Sequence, residues 1–434
     1  MAAPPPRRPP PRGRKPVQVD QSRSSRVVIQ GPGSGGTSIR RGAVRLPGDV
    51  AYRVEIGHPW VYREALGNRP LQAETGSQVE LLGPSGELVG VGLYDPDGAI
   101  AVRVFVRSEG RGIDGALVAE RVKRAVALRR ALLPEGLDAY RVINAESDGL
   151  PAMTVDRYGA YLVVHLFSPS VLKLQDALLD ALVAELQPAG VYVQKRFKSL
   201  AGDAPRGPGE LLRGEAAPVE VVVHENGLEF AVDPTAPLAT GLFPDLREGR
   251  ALVGARSAGK RVLNLFSYTG AFSVYAARAG ATEVVSVDLA AKALARGRHN
   301  LTLNGLDPEK VEHLAADAFK VLAKFAERGR KFDLVVLDPP SFASGQGRVF
   351  SAAKDYAELV TAVLGVTAPG ALLACASNTA KLSAEEFDRA LAQGSAAARV
   401  QVRVVERRGL PADFPVVPGF PEGNYLKFVV LARA

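Results

Sequence analysis

The sequence predicts an α/β protein whose C-terminal half is a mostly parallel sheet flanked by helices, preceded by a small β-barrel and a small α+β domain. Two observations predict this class. From about Pro237, apolar strands alternate with helical segments, which is typical of a parallel sheet with helices on both faces. Before that point, short alternating strands are divided by turn sequences. Two strand-like segments close together at the end of the chain predict an antiparallel edge hairpin.

Length and composition limit the class further. The chain has 434 residues, of which 47% are hydrophobic and 23% are charged, and this predicts two or three globular domains. No apolar run approaches the roughly 18 residues that span a bilayer, and the start lacks a signal-peptide pattern. We therefore expect a cytoplasmic protein without a membrane partner. A single cysteine excludes an intrachain disulfide, and five scattered histidines do not form a zinc-finger framework, so we expect no metal.

The net charge of +8 comes from the N-terminal tail. Ten basic residues and only one acidic residue, Asp20, occur up to Gly48, so the rest of the chain carries a net charge of −1. Residues 1–42 are rich in proline, arginine and glycine and lack hydrophobic periodicity, which predicts disorder. Two interpretations of this tail stay open: a solubilising extension, or a non-specific phosphate-binding arm.

Residues 43–108 have the pattern of a small β-barrel. Ser77–Gly83 and Ala99–Val106 alternate between apolar and polar residues, and Asp95–Gly98 has turn chemistry. Residues 109–139 then form a linker whose apolar positions, from Leu117 to Leu132, have helical spacing. Pro134 predicts the end of this helix.

Residues 140–232 predict a small α+β domain. Tyr158-Gly159 and Asn226-Gly227 mark two β-hairpins, because asparagine and glycine adopt the positive φ values that tight hairpin turns need. An amphipathic helix ending at Pro188 lies between the two hairpins.

Residues 233–434 carry the strand–helix alternation and the candidate site. Strands are predicted at 261–266, 283–288, 332–338 and 371–377, and helices near 271–280, 290–304 and 352–368. Ligands of such open parallel sheets bind beyond the carboxyl ends of the strands. The residues that follow each strand are therefore the candidates: Asn264–Gly270, Asp288, Asp317 and Asp338.

Each of these strand ends has a specific chemistry. The loop 264–270 contains a single glycine and no G-x-G-x-x-G, which argues against a dehydrogenase. Asp288 follows a strand about 20 residues later, where a carboxylate accepts hydrogen bonds from ribose hydroxyls. Asp317 would accept from an adenine amino group. Taken alone, each aspartate is more often a helix cap or a loop residue, but the ordered set favours a ligand site.

The segment Asp338-Pro339-Pro340-Ser341-Phe342 ends a predicted strand. Two prolines cannot continue the strand, so a conformationally restricted segment leaves the sheet and passes over the site. The pattern places a carboxylate near a planar base and an aromatic ring that can stack on it.

From about Val44 to the C-terminus, the chain resembles the class I S-adenosylmethionine-dependent 23S ribosomal RNA methyltransferases of the large-subunit methyltransferase I type, which methylate cytosine at C5. The resemblance depends on several short segments spread over the chain. They are His58–Tyr62, Tyr140–Pro151, Asp156–Gly159, Thr240–Arg247, Leu263–Gly270, Val285–Asp288, Leu337–Phe342, Tyr356 and Phe420–Lys427.

The resemblance implies a PUA-type RNA-binding barrel, a Rossmann-like methyltransferase domain, S-adenosylmethionine as cofactor and ribosomal RNA as partner. The residues it implies for cofactor binding are Asn264, Phe266, Ser267, Tyr268, Thr269, Gly270, Asp288, Leu289, Asp317, Ala318, Asp338 and Pro339. Arg247, Lys427 and Phe342 would contact RNA. For the two cations, a surface or inter-domain ion pair is an equal alternative.

The resemblance also implies catalytic roles for Asp338 and for a cysteine thiolate that adds to C6 of cytosine. The position of the family's cysteine is Ser377 here, and Cys375 lies two residues earlier, on the same strand face but about 6.5 Å further back. Cys375 is thus either the nucleophile or a core residue. The segment Ser377-Asn378 instead resembles the Ser-Asn segment of guanine-N7 ribosomal RNA methyltransferases. A non-catalytic RNA-binding assembly factor and a DNA methyltransferase stay open as alternatives.

Overall fold

The computed structural model describes residues 42–67, 71–108, 110–197, 207–345, 348–380 and 382–434. They form two compact units. The first contains the described residues up to Asp114 together with Ser168–Lys173, and the second contains Gly115–Phe167 and Leu174–Ala434. The predicted disordered tail lies outside the described residues, except for Gly42, which begins the first strand.

The first unit is a five-stranded sheet with one helix. Its strands pair in the order β1-β3-β4-β5-β2, with β1 parallel to β3 and the other pairs antiparallel. Its elements are β1 (Gly42–Arg45), α1 (Gly48–Glu55), β2 (Trp60–Tyr62), β3 (Gln78–Leu82), β4 (Leu88–Tyr94) and β5 (Ile100–Arg107).

Helix α1 is absent from the sequence prediction, which places only strands in this region. Its eight residues include only two fully buried side chains, Ala51 and Val54. So short an apolar stripe does not register as helical periodicity. Both side chains join the core of the unit, which also contains Val79 and Leu81 of β3.

The second unit begins with a helix and a five-stranded sheet. The sheet has the order β10-β9-β8-β7-β6, and β11 and β12 form a separate hairpin. These elements are α2 (Gly115–Leu132), β6 (Ala139–Asn144), β7 (Met153–Tyr158), β8 (Tyr161–Leu166), α3 (Gln175–Leu186), β9 (Gly190–Lys195), β10 (Glu210–Gly214), β11 (Val221–Glu225) and β12 (Leu228–Val232).

The turn between β11 and β12 follows from its two residues. Asn226 and Gly227 have φ values of 51° and 75°, the left-handed region that a two-residue hairpin of this twist needs. The hairpin therefore turns where the sequence predicts it. It packs Val223 and Phe230 into a core shared with the large sheet.

The remaining elements build a seven-stranded sheet with the order β15-β14-β13-β16-β19-β21-β20. All neighbours from β15 to β19 are parallel, while β21 is antiparallel to both β19 and β20. The elements are α4 (Arg247–Ala255), β13 (Arg261–Leu265), α5 (Ala271–Arg278), β14 (Glu283–Asp288), α6 (Ala291–Leu303), β15 (Val311–Ala315), α7 (Ala318–Glu327), β16 (Phe332–Leu337), β17 (Phe342–Gly345), β18 (Arg348–Ser351), α8 (Ala352–Leu364), β19 (Thr367–Ser377), α9 (Ala384–Ala398), β20 (Val402–Arg408) and β21 (Lys427–Arg433).

Helices cover both faces of this sheet. Neighbouring strand residues such as Val262 and Leu263 belong to two different apolar clusters, because side chains alternate along a strand. One cluster contains side chains of α4, α5 and α6, and the other contains side chains of α7, α8 and α9. The predicted α/β class, with its parallel sheet and antiparallel edge hairpin, is confirmed.

Candidate cofactor and substrate site

The predicted site residues lie where the parallel strands of the seven-stranded sheet end, and we call this side of the sheet its edge. Strands β13, β14, β15, β16 and β19 are parallel, so their carboxyl ends share this edge. The loop 266–270 follows β13, Asp288 ends β14, and Asp338 follows β16. The structure therefore brings together the strand ends that the sequence singles out.

The loop after β13 has an unusual backbone. Phe266, Tyr268 and Gly270 have φ values of 58°, 49° and 73°. For the two aromatic residues this left-handed conformation costs on the order of 1–3 kcal/mol each. At position 270 glycine is favoured, because a Cβ atom at this φ would also lie 3.2 Å from the Cα atom of Gly297 in α6, a closer approach than most Cβ contacts. Strain of this kind persists only where surrounding contacts hold the chain.

Hydrogen bonds on both sides hold the loop in place. The hydroxyl of Thr269 donates to the carbonyl of Gly241 at 2.6 Å, and the hydroxyl of Tyr268 donates to the carbonyl of Ala239 at 3.2 Å. From α6, the side-chain amide of Asn300 donates to the carbonyl of Thr269 at 2.9 Å. The loop is thus fixed before any ligand binds, which lowers the entropy cost of binding.

Asp288 fastens the loop to β14. Its Oδ2 accepts from the backbone N–H of Tyr268 at 2.8 Å, and its Oδ1 accepts from the backbone N–H of Ala290 at 2.8 Å. An ionised carboxylate has about four acceptor sites, so capacity for ribose hydroxyls remains. The side chain is half-buried, and the neighbouring Leu289 is 47% exposed.

Two buried polar atoms near the loop await a partner. Oδ1 of Asn264 and Oγ of Ser267 have no hydrogen-bond partner within the described parts of the chain. The amide nitrogen of Asn264 is already used, since it donates to Ser273 at 2.9 Å. Unsatisfied buried polar atoms are uncommon, and an ordered water, an ion or a ligand is able to satisfy them. The donor and acceptor set at this edge therefore fits a polar, nucleoside-containing cofactor.

Asp317 has the role of a helix cap. Its Oδ1 accepts from the backbone N–H of Lys320 at 3.1 Å at the start of α7, where a carboxylate also interacts favourably with the helix dipole. The next residue, Ala318, is buried in the core. The backbone N–H of Ala316 donates to the carbonyl of Asp288 at 3.0 Å, which places the segment before Asp317 beside the end of β14. The contact of Asp317 with adenine stays a prediction.

Asp338 lies half-buried at the end of β16, and Pro339 behind it is buried. The pKa of Asp338 is raised to about 7. Burial is the main cause and the nearby carboxylate of Asp245 is the second, while the positive charge of Arg250 opposes the shift. Burial also raises the pKa of Asp245, which accepts a hydrogen bond from Tyr425 at 2.8 Å. The site therefore contains two carboxyl groups that resist ionising together.

Cys375 lies just below the strand ends and is covered. It pairs with Leu337, the last residue of β16, and with Val429. It has no exposed surface and belongs to the apolar core. Burial raises the pKa of its thiol to about 12. A nucleophile must be a thiolate with access to substrate, so this placement fits the core alternative. Ser377, at the strand end, has a buried hydroxyl without a partner among the described residues.

The two cations predicted to contact RNA are engaged inside the protein. Arg247 is 4% exposed and forms an ion pair with the fully buried Asp413, with 2.5 Å between Nη2 and Oδ1. Lys427 donates to the carbonyls of Thr379 and Leu382 at 2.6 and 2.8 Å. Arg247 therefore forms an ion pair, but a buried one within the second unit and not one at the surface or between domains. Lys427 bonds backbone carbonyls instead. A contact of either side chain with RNA stays a prediction. Phe342 begins β17, and its side chain is outside what the structure describes.

Asp413 connects distant parts of the second unit, a role that the sequence gives no sign of. Its Oδ2 accepts from the backbone N–H of Arg141, and its carbonyl accepts from Arg129 at 2.8 Å. Arg141 in turn pairs with Asp156 and lies over the ring of Phe414 at 4.6 Å. In the sequence, two partners of Asp413 lie in matched motifs, Arg141 in Tyr140–Pro151 and Arg247 in Thr240–Arg247, but neither motif indicates this pairing.

Among the side chains that the structure describes, no group of three or more His, Cys, Asp and Glu residues is placed to hold a metal ion. No helix in the described ranges has the length and apolar character needed to cross a membrane.

Comparisons with known proteins agree with this geometry. Residues 147–428 match the model of the S-adenosylmethionine-dependent methyltransferases, and residues 44–107 match a PUA-like domain. The "Ribosomal RNA large subunit methyltransferase I" of Shewanella denitrificans is 35% identical over 382 residues, covering 87% of this chain and 96% of the relative. The protein of the same name from Photobacterium profundum is 36% identical, covering 85% and 94%.

Solved structures show the same fold. A crystal structure of a methyltransferase complexed with SAH has a TM-score of 0.82 and 25% identity, covering 90% of this chain and 99% of that one. A methyltransferase from Streptococcus mutans has a TM-score of 0.81 and 24% identity over the same shares. With a family model matched over more than half of its length and relatives above 30% identity, the chain belongs to the S-adenosylmethionine-dependent methyltransferases of the ribosomal RNA large subunit methyltransferase I family.

Proposed function

We propose that this protein transfers the methyl group of S-adenosylmethionine to a base of ribosomal RNA. The observation that carries the proposal is the sheet edge itself. There a pre-formed loop lies beside the Asp338-Pro339 segment, and two buried polar oxygens without a partner, on Ser267 of the loop and on Asn264 of β13, lie close to it. The names of the relatives support ribosomal RNA as the substrate. A ribosomal RNA substrate also agrees with the expected cytoplasmic location.

The residues divide into those for the cofactor and those for the base. When bound, S-adenosylmethionine supplies a methyl group on a sulfonium sulfur. Asp288 would accept from the ribose hydroxyls while it holds the backbone of Tyr268. Ser267 and Asn264 would offer their unpartnered oxygens to the polar end of the cofactor. Asp338 would accept from an amino group of the base, held by the buried Pro339.

The domain boundaries and the RNA-binding part stay proposals too. We assign residues 43–108 to a PUA-like RNA-binding barrel and 109–139 to a linker helix. Residues 140–232 would form the α+β domain and 233–434 the methyltransferase domain. Support comes from the match of residues 44–107 to a PUA-like model.

The target atom has two candidates. The family resemblance predicts cytosine C5, which needs a thiolate to activate the ring. The buried position of Cys375 and its raised pKa favour a ring nitrogen instead. A nitrogen lone pair attacks directly, so positioning and polar contacts at Asp338 are sufficient.

Mass spectrometry of ribosomal RNA nucleosides from a deletion strain tests the proposal. We expect one methylated nucleoside to fall, and purified protein with S-adenosylmethionine to restore it in vitro. The Asp288→Ala variant is the matched control for cofactor dependence. An unchanged nucleoside profile contradicts the proposal. Methyl transfer to DNA would then favour the DNA methyltransferase, and transfer to no nucleic acid would favour the assembly factor.

A further inference from the structure

Three large apolar side chains are exposed on the second unit, and one of them, Phe243, packs against Tyr268 of the cofactor loop. Phe167 is 45% exposed, Leu238 is 66% exposed and Phe243 is 44% exposed. Single exposed apolar residues are ordinary on protein surfaces. Exposed aromatic residues that ring contacts and hydrogen bonds link to a binding site indicate a contact surface.

A chain of contacts connects these three residues. The ring of Phe243 lies 5.5 Å from the ring of Tyr268, whose hydroxyl bonds the carbonyl of Ala239. One residue earlier, the carbonyl of Leu238 accepts from Arg196 at 3.1 Å. The surface therefore continues from the cofactor loop along the segment 238–243.

The same arginine continues the connection toward Phe167. Nη2 of Arg196 lies 3.2 Å from Nε2 of His165, and the His165 ring is 6.2 Å from the ring of Phe167. Nη1 of Arg196 also donates to the carbonyl of Pro237 at 2.7 Å. These bonds hold the backbone under the exposed side chains, so the surface is formed in advance.

The charges along this surface suit a polyanion. Arg196 and the exposed Lys195 lie at one end, and Arg296 bonds the carbonyl of Thr240 at 3.3 Å near the other. The nearby carboxylates have partners: Asp288 holds two backbone amides, and Asp233 accepts from the amide and hydroxyl of Thr235. Cations between aromatic rings are the usual pattern of single-stranded nucleic acid binding.

We propose that Phe167, Leu238 and Phe243 form a stacking strip for unpaired nucleotides that flank the target base of the RNA. The proposal rests on the proposed function, because it names how that substrate is held. An enzyme that modifies a base must take it out of the stack. The neighbouring bases then lose a stacking partner, and an exposed aromatic ring replaces it.

The test compares aromatic and aliphatic side chains at the strip. Phe243→Ala and Phe167→Ala are the principal variants, Phe243→Leu keeps an apolar side chain if the alanine variant does not fold, and Phe243→Trp keeps the stacking surface. Val404→Ala, at the exposed edge strand β20, is the matched surface control. The probe is a 12-nucleotide single-stranded RNA carrying 2-aminopurine, whose fluorescence reports stacking, and the same sequence as a duplex.

Stacking on one aromatic ring contributes about 1–3 kcal/mol, so the alanine variants should bind the single strand about 5- to 150-fold more weakly. We expect Phe243→Trp and Val404→Ala to bind within about twofold of the native protein. Calorimetry should give an unchanged affinity for S-adenosylmethionine.

Two outcomes overturn the stacking strip. Unchanged single-strand affinity in both alanine variants is one. Loss of S-adenosylmethionine affinity at unchanged RNA affinity is the other, because it assigns Phe243 to the cofactor pocket. Failure of the native protein to methylate ribosomal RNA contradicts the proposed function instead, and the oligonucleotide measurements separate the two cases.

Discussion

The backbone N–H of Tyr268 donates to the carboxylate of Asp288 at 2.8 Å, across 20 residues of sequence. The bond joins the ends of two neighbouring parallel strands. It also holds Tyr268 at a φ of 49°, a conformation that side chains other than glycine disfavour. Asp288 therefore shapes the loop in addition to any contact with ribose.

Asp288→Ala should weaken cofactor binding by on the order of 1.5–3 kcal/mol, the contribution of hydrogen bonds to a charged group. Loss of the Tyr268 bond adds loop disorder to the loss of the ribose contact. Calorimetric titration with S-adenosylmethionine measures this. Asp288→Asn keeps one acceptor oxygen, so its affinity for S-adenosylmethionine should lie between those of the native protein and Asp288→Ala. Native affinity in a folded alanine variant contradicts the assignment.

Gly270→Ala should disturb both the fold and the site. Its φ of 73° and the 3.2 Å approach to Gly297 both oppose a Cβ atom. Gly280→Ala is the control, since its φ is 83° but nothing lies within 4 Å of the added atom. The left-handed conformation alone costs about 1–2 kcal/mol. Denaturant unfolding should show a larger loss for position 270, and only that variant should lose cofactor affinity. Equal losses would show that the contact with α6 is unimportant.

The raised pKa of Asp338 predicts an unusual pH dependence of stability. The folded state holds the Asp338 proton up to about pH 7, whereas the unfolded chain releases it near the ordinary carboxyl value of 3.8. Between these values the folded state binds more protons, so this group makes the protein less stable as pH rises. The free energy of unfolding of the native protein, minus that of Asp338→Asn, should fall from about pH 4 to about pH 7.

Asp333 supplies the opposite control for this measurement. Its hydrogen bond with Arg261 lowers the pKa of the carboxyl. The stabilisation that this carboxylate provides is present at neutral pH and is lost as the pH falls through its folded pKa. The difference between native protein and Asp333→Asn should therefore rise with pH up to about pH 4 and then stay level, because the folded pKa lies below the ordinary 3.8. Parallel slopes for the two variants would contradict the raised pKa at Asp338.

Cys375→Ala should retain methyl transfer if the target is a ring nitrogen. The thiol lies in the apolar core, so the substitution should cost about 1–2 kcal/mol of stability, the scale of a small core truncation. The measurement is transfer to RNA with S-adenosylmethionine affinity as the control. Complete loss of transfer at normal affinity would support a thiolate and the cytosine-C5 reaction. Slow alkylation of the native thiol, and fast alkylation in urea, would agree with its burial.

Arg247→Ala should destabilise the protein by about 3–5 kcal/mol, because it leaves the buried Asp413 without its ion-pair partner. Arg261→Ala breaks an exposed pair and should cost at most about 1 kcal/mol. Chemical unfolding measures both. An RNA-contacting arginine would give the reverse result, namely native stability with reduced RNA affinity.

Local patterns predict much of this fold. The helical spacing of Leu117, Val118 and Val122 predicts α2, and Asn226-Gly227 predicts the β11–β12 turn. The strand ends that carry Asp288 and Asp338 follow from apolar runs bounded by polar residues. Each of these signals lies within about 20 residues of sequence, where periodicity and turn chemistry operate.

Contacts between distant segments could not be predicted in this way. Tyr425 bonds Asp245 across 180 residues, and Arg247 meets Asp413 across 166. The sequence places Tyr425, Asp245 and Arg247 in matched motifs but does not pair them, and it gives no sign of the role of Asp413. It also leaves Cys375 undecided, because a strand pattern gives the face of a side chain and not its depth below the strand end.

The bonds of Asp413 also order events in time. Arg141 and Arg129 are made 272 and 284 residues before the aspartate that they bind. At about 5–20 residues per second, the ribosome needs roughly 14–55 s to cover the shorter of these intervals. The sheet that contains β6 must therefore wait for the end of the chain before its last bonds close. A nascent chain stopped before Asp413 should be more open to protease at this sheet than the released protein.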